Sequence, residues 1–355
     1  MNTKMEEILR YAVEHKASDV HLISDVSPKI RVNGELLDVF GFEKVGNEII
    51  SEMVLSLLTE KQLEIFKKEK ELDFSFEAVD IRFRANVYLQ KDTPSCALRL
   101  ISSEIPTFEE LNIPNILRDF TKYKQGFVLV TGPTGHGKST TVAALLEEIN
   151  RSIGGHIVTI EDPVEYLIKP EKAIISQREM GGDTNSFSLA LRSCLRQDPN
   201  VVFLGEMRDL ESTSSALTIA ETGHLVFSVL HTNSAAQTVD RIVDQFPSGS
   251  KDQIRVQLAT VITAIVSQRL VPAIDGSRIP VFEILIATPA VRNVIREGKT
   301  FMIDNIIQTS SDAGMISFDT YMTKLVLEGK VTEEVAMTYA ANAIELQSKL
   351  RRQKL

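Results

Sequence analysis

The sequence contains no tryptophan, two cysteines and six histidines among its 355 residues. The cysteines, Cys96 and Cys194, cannot build a tetracysteine zinc site, and their wide separation points to reduced thiols. Positive charge is also in short supply. Lysine and arginine number 39 against 48 aspartates and glutamates, for a net charge of −9. That balance argues against a broadly basic surface and therefore against nucleic acid as a partner. Long apolar runs are missing, since none approaches the about 18–20 residues that span a bilayer. Any membrane association is therefore expected to be peripheral. The opening Met1-Asn-Thr-Lys-Met-Glu-Glu leads into an amphipathic pattern instead of a signal peptide, so the expected location is cytoplasmic. What remains is 43% hydrophobic and 25% charged, the balance of a soluble globular protein with length for two or three domains.

Against this background one stretch stands out, Gly132-Pro133-Thr134-Gly135-His136-Gly137-Lys138-Ser139-Thr140. It follows the apolar run Phe127–Thr131 and precedes a helical pattern with Val142, Leu145, Leu146 and Ile149. The order strand, glycine-rich loop, helix with G-x-x-x-x-G-K-S spacing is that of a phosphate-binding P-loop. Glycines let the backbone curl so that successive N–H groups point at phosphate oxygens, and the helix N-terminus adds partial positive charge. In such a loop Lys138 reaches the β- and γ-phosphates of ATP and the Ser139 hydroxyl ligates Mg²⁺.

Three further segments can carry chemistry. Val201–Leu204 is an apolar strand followed by Gly205-Glu206, at the kind of strand end that opens onto a nucleotide crevice. Gly205 stands where such strands usually carry aspartate, which leaves Glu206 as the candidate that polarises the attacking water. Thr159-Ile-Glu161-Asp162-Pro163-Val-Glu165 is a second acidic strand end. It can hold Mg²⁺ directly or through water, or be no more than an acidic loop before a proline. Two histidines, His224 and His231, bracket the strand between Thr222 and Asn233. His231, at the polar end, is placed to hydrogen-bond a γ-phosphate oxygen, whereas His224 is equally well read as structural. Arg82, Arg84, Arg196 and Arg208 offer guanidinium groups that suit phosphate oxygens. Arg82 and Arg84 are far from the P-loop in sequence, so any service to the nucleotide would cross a domain or subunit boundary.

Periodicity outlines the organisation. Met5, Ile8, Leu9, Ala12 and Val13 predict a helix, Lys29–Asp38 a hairpin turning at Asn33-Gly34, and Thr59-x-x-Gln62 a helix-opening capping box. Strands are expected at 72–76 and 81–89. Residues 1–100 thus form an expected α+β domain, with 101–114, which carries Pro106 and Pro114, as linker and hinge. Residues 115–288 alternate strand and helix and predict a mostly parallel sheet covered on both faces. Expected strands are 127–131, 156–160, 201–204, 225–230 and 279–286; expected helices are about 139–150, 187–195, 210–221 and 251–269. Residues 289–355 read as a helical appendix.

These motifs together resemble the secretion ATPase superfamily, the RecA-like hexameric motors of type IV pili and type II secretion. The resemblance rests on the P-loop, on TIEDPVEY (159–166), VVFLGEMRD (201–209) and TGHLVFSVLHTN (222–233), and on Ala235–Pro247. Ala17-Ser-Asp-Val-His21-Leu with Pro28–Glu35 resembles the PAS-like N-terminal domain of the pilus-retraction branch, and Val294-Ile-Arg-Glu-Gly-Lys299 its short C-terminal motif. The extension and type II relatives are longer and carry a tetracysteine insertion that two cysteines cannot supply.

The resemblance implies an α/β chain with a PAS-like α+β domain joined to a RecA-like ATPase domain and a helical appendix. It implies a homohexamer that hydrolyses ATP with Mg²⁺ to power pilus retraction and twitching motility, peripheral at the inner membrane, against a PilC-like platform protein. By the same resemblance Glu206 activates water and Glu161 assists the metal. His231 senses the γ-phosphate, and Arg82, Arg84, Arg196 and Arg208 gather at the phosphates. The alternatives are an accessory pilus or secretion ATPase, or a nucleotide-gated scaffold, on the same fold. His136 departs from the family's usual serine, and its side chain is expected to point outward from the loop.

Overall fold

The computed structural model describes residues 1–32, 34–101 and 104–353. Asn33 of the expected hairpin turn and Ser102 and Ser103 of the expected linker lie outside the described residues. Two compact units divide the chain: Met1–Glu104 with Glu165–Leu167, and Ile105–Val164 with Ile168–Leu355.

The first unit is built on a six-stranded sheet. Its strands are β1 (Asp19–Leu22), β2 (Lys29–Val32), β3 (Glu35–Asp38), β4 (Glu71–Ala78), β5 (Ile81–Gln90) and β6 (Thr93–Ile101), in the order β3-β2-β1-β6-β5-β4. Neighbours are antiparallel throughout. Alternation decides which face is buried: Phe83, Ala85 and Val87 of β5 pack with Met5, Ile8, Leu9 and Ala12 of the first helix, Thr3–Glu14. Arg84, one step out of phase, is exposed. The Thr59 side chain accepts from the Gln62 N–H while Gln62 Oε1 accepts from the Thr59 N–H, the reciprocal capping its spacing predicts.

The second unit carries a seven-stranded sheet: β7 (Gly126–Thr131), β8 (Gly155–Glu161), β9 (Ala173–Glu179), β10 (Val201–Leu204), β11 (Leu225–Leu230), β12 (Ile262–Pro272) and β13 (Arg278–Ile286). The order is β13-β12-β7-β11-β10-β8-β9, parallel except for the antiparallel β12–β13 pair. Both faces are covered. Phe127 and Leu129 of β7 enter one core with Val202, Leu204 and Leu258, while Val128 and Val130 enter the other with Val142, Phe227 and Phe282. This two-sided burial explains why the strands read as continuous apolar runs, and each fully buried Phe or Leu contributes about 1.5–3 kcal/mol.

One expectation is corrected here. The helix predicted over 251–269 ends at Val261 and the chain continues directly into β12. Ile262, Ala264, Ile265 and Val266 pair beside β7, so tertiary pairing overrides an apolar pattern that also fits helical spacing. The strand β9 and the helix Ala235–Asp244 are additional to the predicted elements. From Pro289 the described elements are helices.

Candidate active site

The parallel strands β7, β8, β10 and β11 end on the same side, and the loops after them bring the chemistry together. After β7 the loop 132–137 turns through positive φ at Gly132 (+143°), Gly135 (+77°) and Gly137 (+78°). Glycine is demanded at Gly132, where a Cβ would sit 2.1 Å from the main-chain oxygen of Gln268. At Gly135 a Cβ would meet nothing within 4 Å, so the loop is open at that position. Lys138 begins the helix Lys138–Ser152 and Ser139 lies in its first turn, so the positive end of the helix dipole lies at the loop. This open cradle fits a phosphate chain.

Lys138 is buried, with Nζ donating to the Pro133 carbonyl at 2.8 Å. From there a polar chain crosses to the end of β10. Lys138 Nζ lies 3.4 Å and Thr134 Oγ1 3.2 Å from His231 Nδ1, and His231 Nε2 lies 3.2 Å from Glu206 Oε1. An ammonium group can only donate, so Nδ1 accepts and the ring proton sits on Nε2, facing the carboxylate. Glu206 Oε2 accepts from Arg208 Nε at 2.9 Å, and Arg208 also pairs with Asp162 at 3.5 Å. The carboxylate holds the Arg208 pKa above its ordinary value, chiefly through that hydrogen bond.

Glu161, at the end of β8, is buried, with Oε1 accepting from Thr159 Oγ1 at 2.6 Å and from Gln177 Nε2 at 3.4 Å. Its presence accounts for Gly205. A Cβ at 205 would lie 3.2 Å from the Glu161 Cα and 3.5 Å from its Cγ. The acid absent from β10 thus has a counterpart on β8, one strand away. Among the described residues no group of three His, Cys, Asp or Glu could hold a metal by itself. A cation here would complete its shell with nucleotide phosphates and water, an arrangement that Ser139 and Glu161 suit.

The other predicted residues are distributed more widely. Arg196 is exposed in the turn after the helix Phe187–Cys194. Arg208 is drawn to Glu206 and Asp162. Arg82 pairs with Glu77 at 3.8 Å in the first unit. His224 Nδ1 lies 3.1 Å from the Ile219 carbonyl and 3.0 Å from Thr222 Oγ1, which ties it to the end of the helix Leu210–Glu221.

His136 is a correction. Its imidazole does not point outward but turns back onto β12, where Nδ1 accepts the Leu270 N–H at 2.9 Å. Gln268, one register earlier on the same face, was not anticipated. It lies inside the stretch that reads as helix, and no local signal marks it. Its Nε2 donates to the His136 carbonyl at 2.9 Å and its Oε1 accepts from Thr141 at 2.7 Å.

Comparison with known proteins places these features in a family. The model of the type II/IV secretion system protein family matches residues 1–335. The chain is 44% identical over 342 residues to the twitching motility protein of Neisseria gonorrhoeae, an alignment covering 95% of this chain and 90% of that protein. It is 42% identical over 331 residues to a Pseudomonas aeruginosa protein named type IV pilus retractation ATPase PilT, covering 93% and 96%. A crystal structure of the pilus retraction motor PilT with bound ADP superposes with a TM-score of 0.90 at 42% identity, covering 96% of this chain and 98% of that one.

Proposed function

The chain belongs to the type II/IV secretion system protein family, and from that premise we propose that it is a homohexameric ATP-hydrolysing motor that powers type IV pilus retraction. The Lys138–His231–Glu206 chain carries the catalytic part of this reading, because it joins a nucleophile-activating acid at the end of β10 to the phosphate-binding lysine of the loop.

The residues divide the work as follows. Backbone N–H groups of 134–140 cradle the phosphates of ATP, and Lys138 leaves the Pro133 carbonyl to meet the β- and γ-phosphates. Ser139 and Glu161 would hold Mg²⁺, which when bound neutralises charge developing on the phosphates. Glu206 draws the proton of the attacking water, with Arg208, itself held by Asp162, fixing its second oxygen. His231, bridging Glu206 and the loop, senses whether a γ-phosphate is present. Arg82, Arg84 and Arg196 complete the charge around the phosphates when subunits assemble.

In this reading the first unit is a PAS-like domain and the second a RecA-like motor domain with a helical appendix from 289. Residues 101–114 form the hinge. Among the described residues no helix is long and apolar enough to cross a membrane. In this reading the motor is peripheral at the inner membrane and works from the cytoplasm on a PilC-like platform protein. Gene deletion in the source organism tests the proposal: hyperpiliated cells without twitching motility support retraction, and cells without pili contradict it.

A further inference from the structure

We propose that Gln268 and His136 form a clamp by which β12 shapes the phosphate loop, and that His136 makes nucleotide affinity fall in acid. The inference rests on the loop being a nucleotide site.

The clamp follows from where β12 stops pairing. Its ladder with β7 runs to Ser267↔Thr131, whose side-chain oxygens are 3.0 Å apart. Past that point β7 has ended and β12 runs alongside the loop. Gln268 is 2% exposed and uses both ends of its amide, Nε2 on the His136 carbonyl and Oε1 on the Thr141 hydroxyl. It thereby ties the middle of the loop to the helix that follows. Its main-chain oxygen closes against Gly132, and its Nε2 would lie 3.0 Å from a Cβ at Gly137. Both glycine turns are thus set against one residue. A buried amide with every group paired is costly to disrupt, so it fixes a single loop shape.

Two residues on, the Leu270 N–H has no β7 partner, and His136 Nδ1 accepts it. A backbone N–H only donates, so this bond requires an unprotonated Nδ1. The charges that act on the imidazole are those of Lys138 of the loop-following helix, Arg278 of β13 and Arg269 of β12, all cationic. Burial first, and then these charges, push the imidazole pKa below its ordinary value. His136 is therefore neutral at neutral pH. When it is protonated in acid, Nδ1 becomes a donor facing a donor among three cations, and the loop loses this one of its two holds on β12. His136 is a positioning residue: it acts on phosphates through the loop.

The test is binding of a fluorescent ADP analogue by the full chain, measured from about pH 8 down to about pH 4.5, below the ordinary histidine range because the His136 pKa is lowered. His136→Asn places an amide oxygen near the position of Nδ1 and accepts without titrating, so it also controls for folding and for protonation of the ADP itself. The expected result is a wild-type affinity that falls at least about fivefold more than that of His136→Asn across this range, the loss of one hydrogen bond. His136→Leu and Gln268→Ala should bind about fivefold more weakly than wild type already at pH 8. A His136→Leu protein with the wild-type affinity and pH profile overturns the clamp alone. Wild-type protein that binds no nucleotide at any pH contradicts the nucleotide site and the clamp with it.

Discussion

His231 Nε2 stands 3.2 Å from Glu206 Oε1 while Nδ1 of the same ring stands 3.4 Å from Lys138 Nζ. One imidazole thus joins the acid on one strand end to the lysine of the phosphate loop. His231→Ala should leave ADP binding nearly intact, because the loop and Lys138 remain, but lower steady-state phosphate release about 10–100-fold. Equal loss of binding and turnover would show that His231 only supports the loop.

Gly205 is fixed by its neighbour rather than by its own backbone. Its φ is not in the left-handed region, yet a Cβ would lie 3.2 Å from the Glu161 Cα. Gly205→Ala should therefore destabilise the protein by about 1–3 kcal/mol through overpacking between β8 and β10. Restoring the aspartate found in related strands should cost more, since it adds a carboxylate beside buried Glu161. Thermal unfolding of the two variants checks the order.

Glu283 gives the protein an acid-side gain in stability. Burial, helped by Asp304 and Asp319 and opposed by the Ala235 N–H and Arg269, pushes its pKa from 4.5 up to about 7. The protonated side chain is the one the folded state prefers. Its contribution is fully present below the ordinary carboxyl pKa and is lost as pH rises through about 7. Glu283→Gln keeps an oxygen for the Ala235 N–H, which Glu283 Oε1 accepts at 2.8 Å. The variant should be more stable than wild type at about pH 8, by up to about 3 kcal/mol, and converge with it near pH 4. A constant difference in melting temperature across this range would reject the assignment.

The site was legible where its geometry is local. G-x-x-x-x-G-K-S dictates a loop whose glycines take positive φ, and Val201–Leu204 ends where its apolar run ends, delivering Glu206 to the site. The strand β12 was hidden because Ile254, Leu258, Val261, Ile262 and Ile265 satisfy a helical period without a break, and only pairing with β7 decides otherwise. The direction of His136 was hidden for the same reason, since its partner is Leu270, 134 residues away. Arg208 could be placed near phosphates by charge alone, but local geometry gives it to Glu206 and Asp162. Gly205 became intelligible only when β8 was seen beside β10.

The central claim is that Glu206 activates the water that attacks ATP. Glu206→Gln keeps the shape and removes the base, so the variant should bind ATP with nearly the parental affinity while phosphate release falls at least about 100-fold. Measuring both quantities on the same preparation is the most direct test. A Glu206→Gln protein that binds ATP and hydrolyses it at the parental rate would contradict the account.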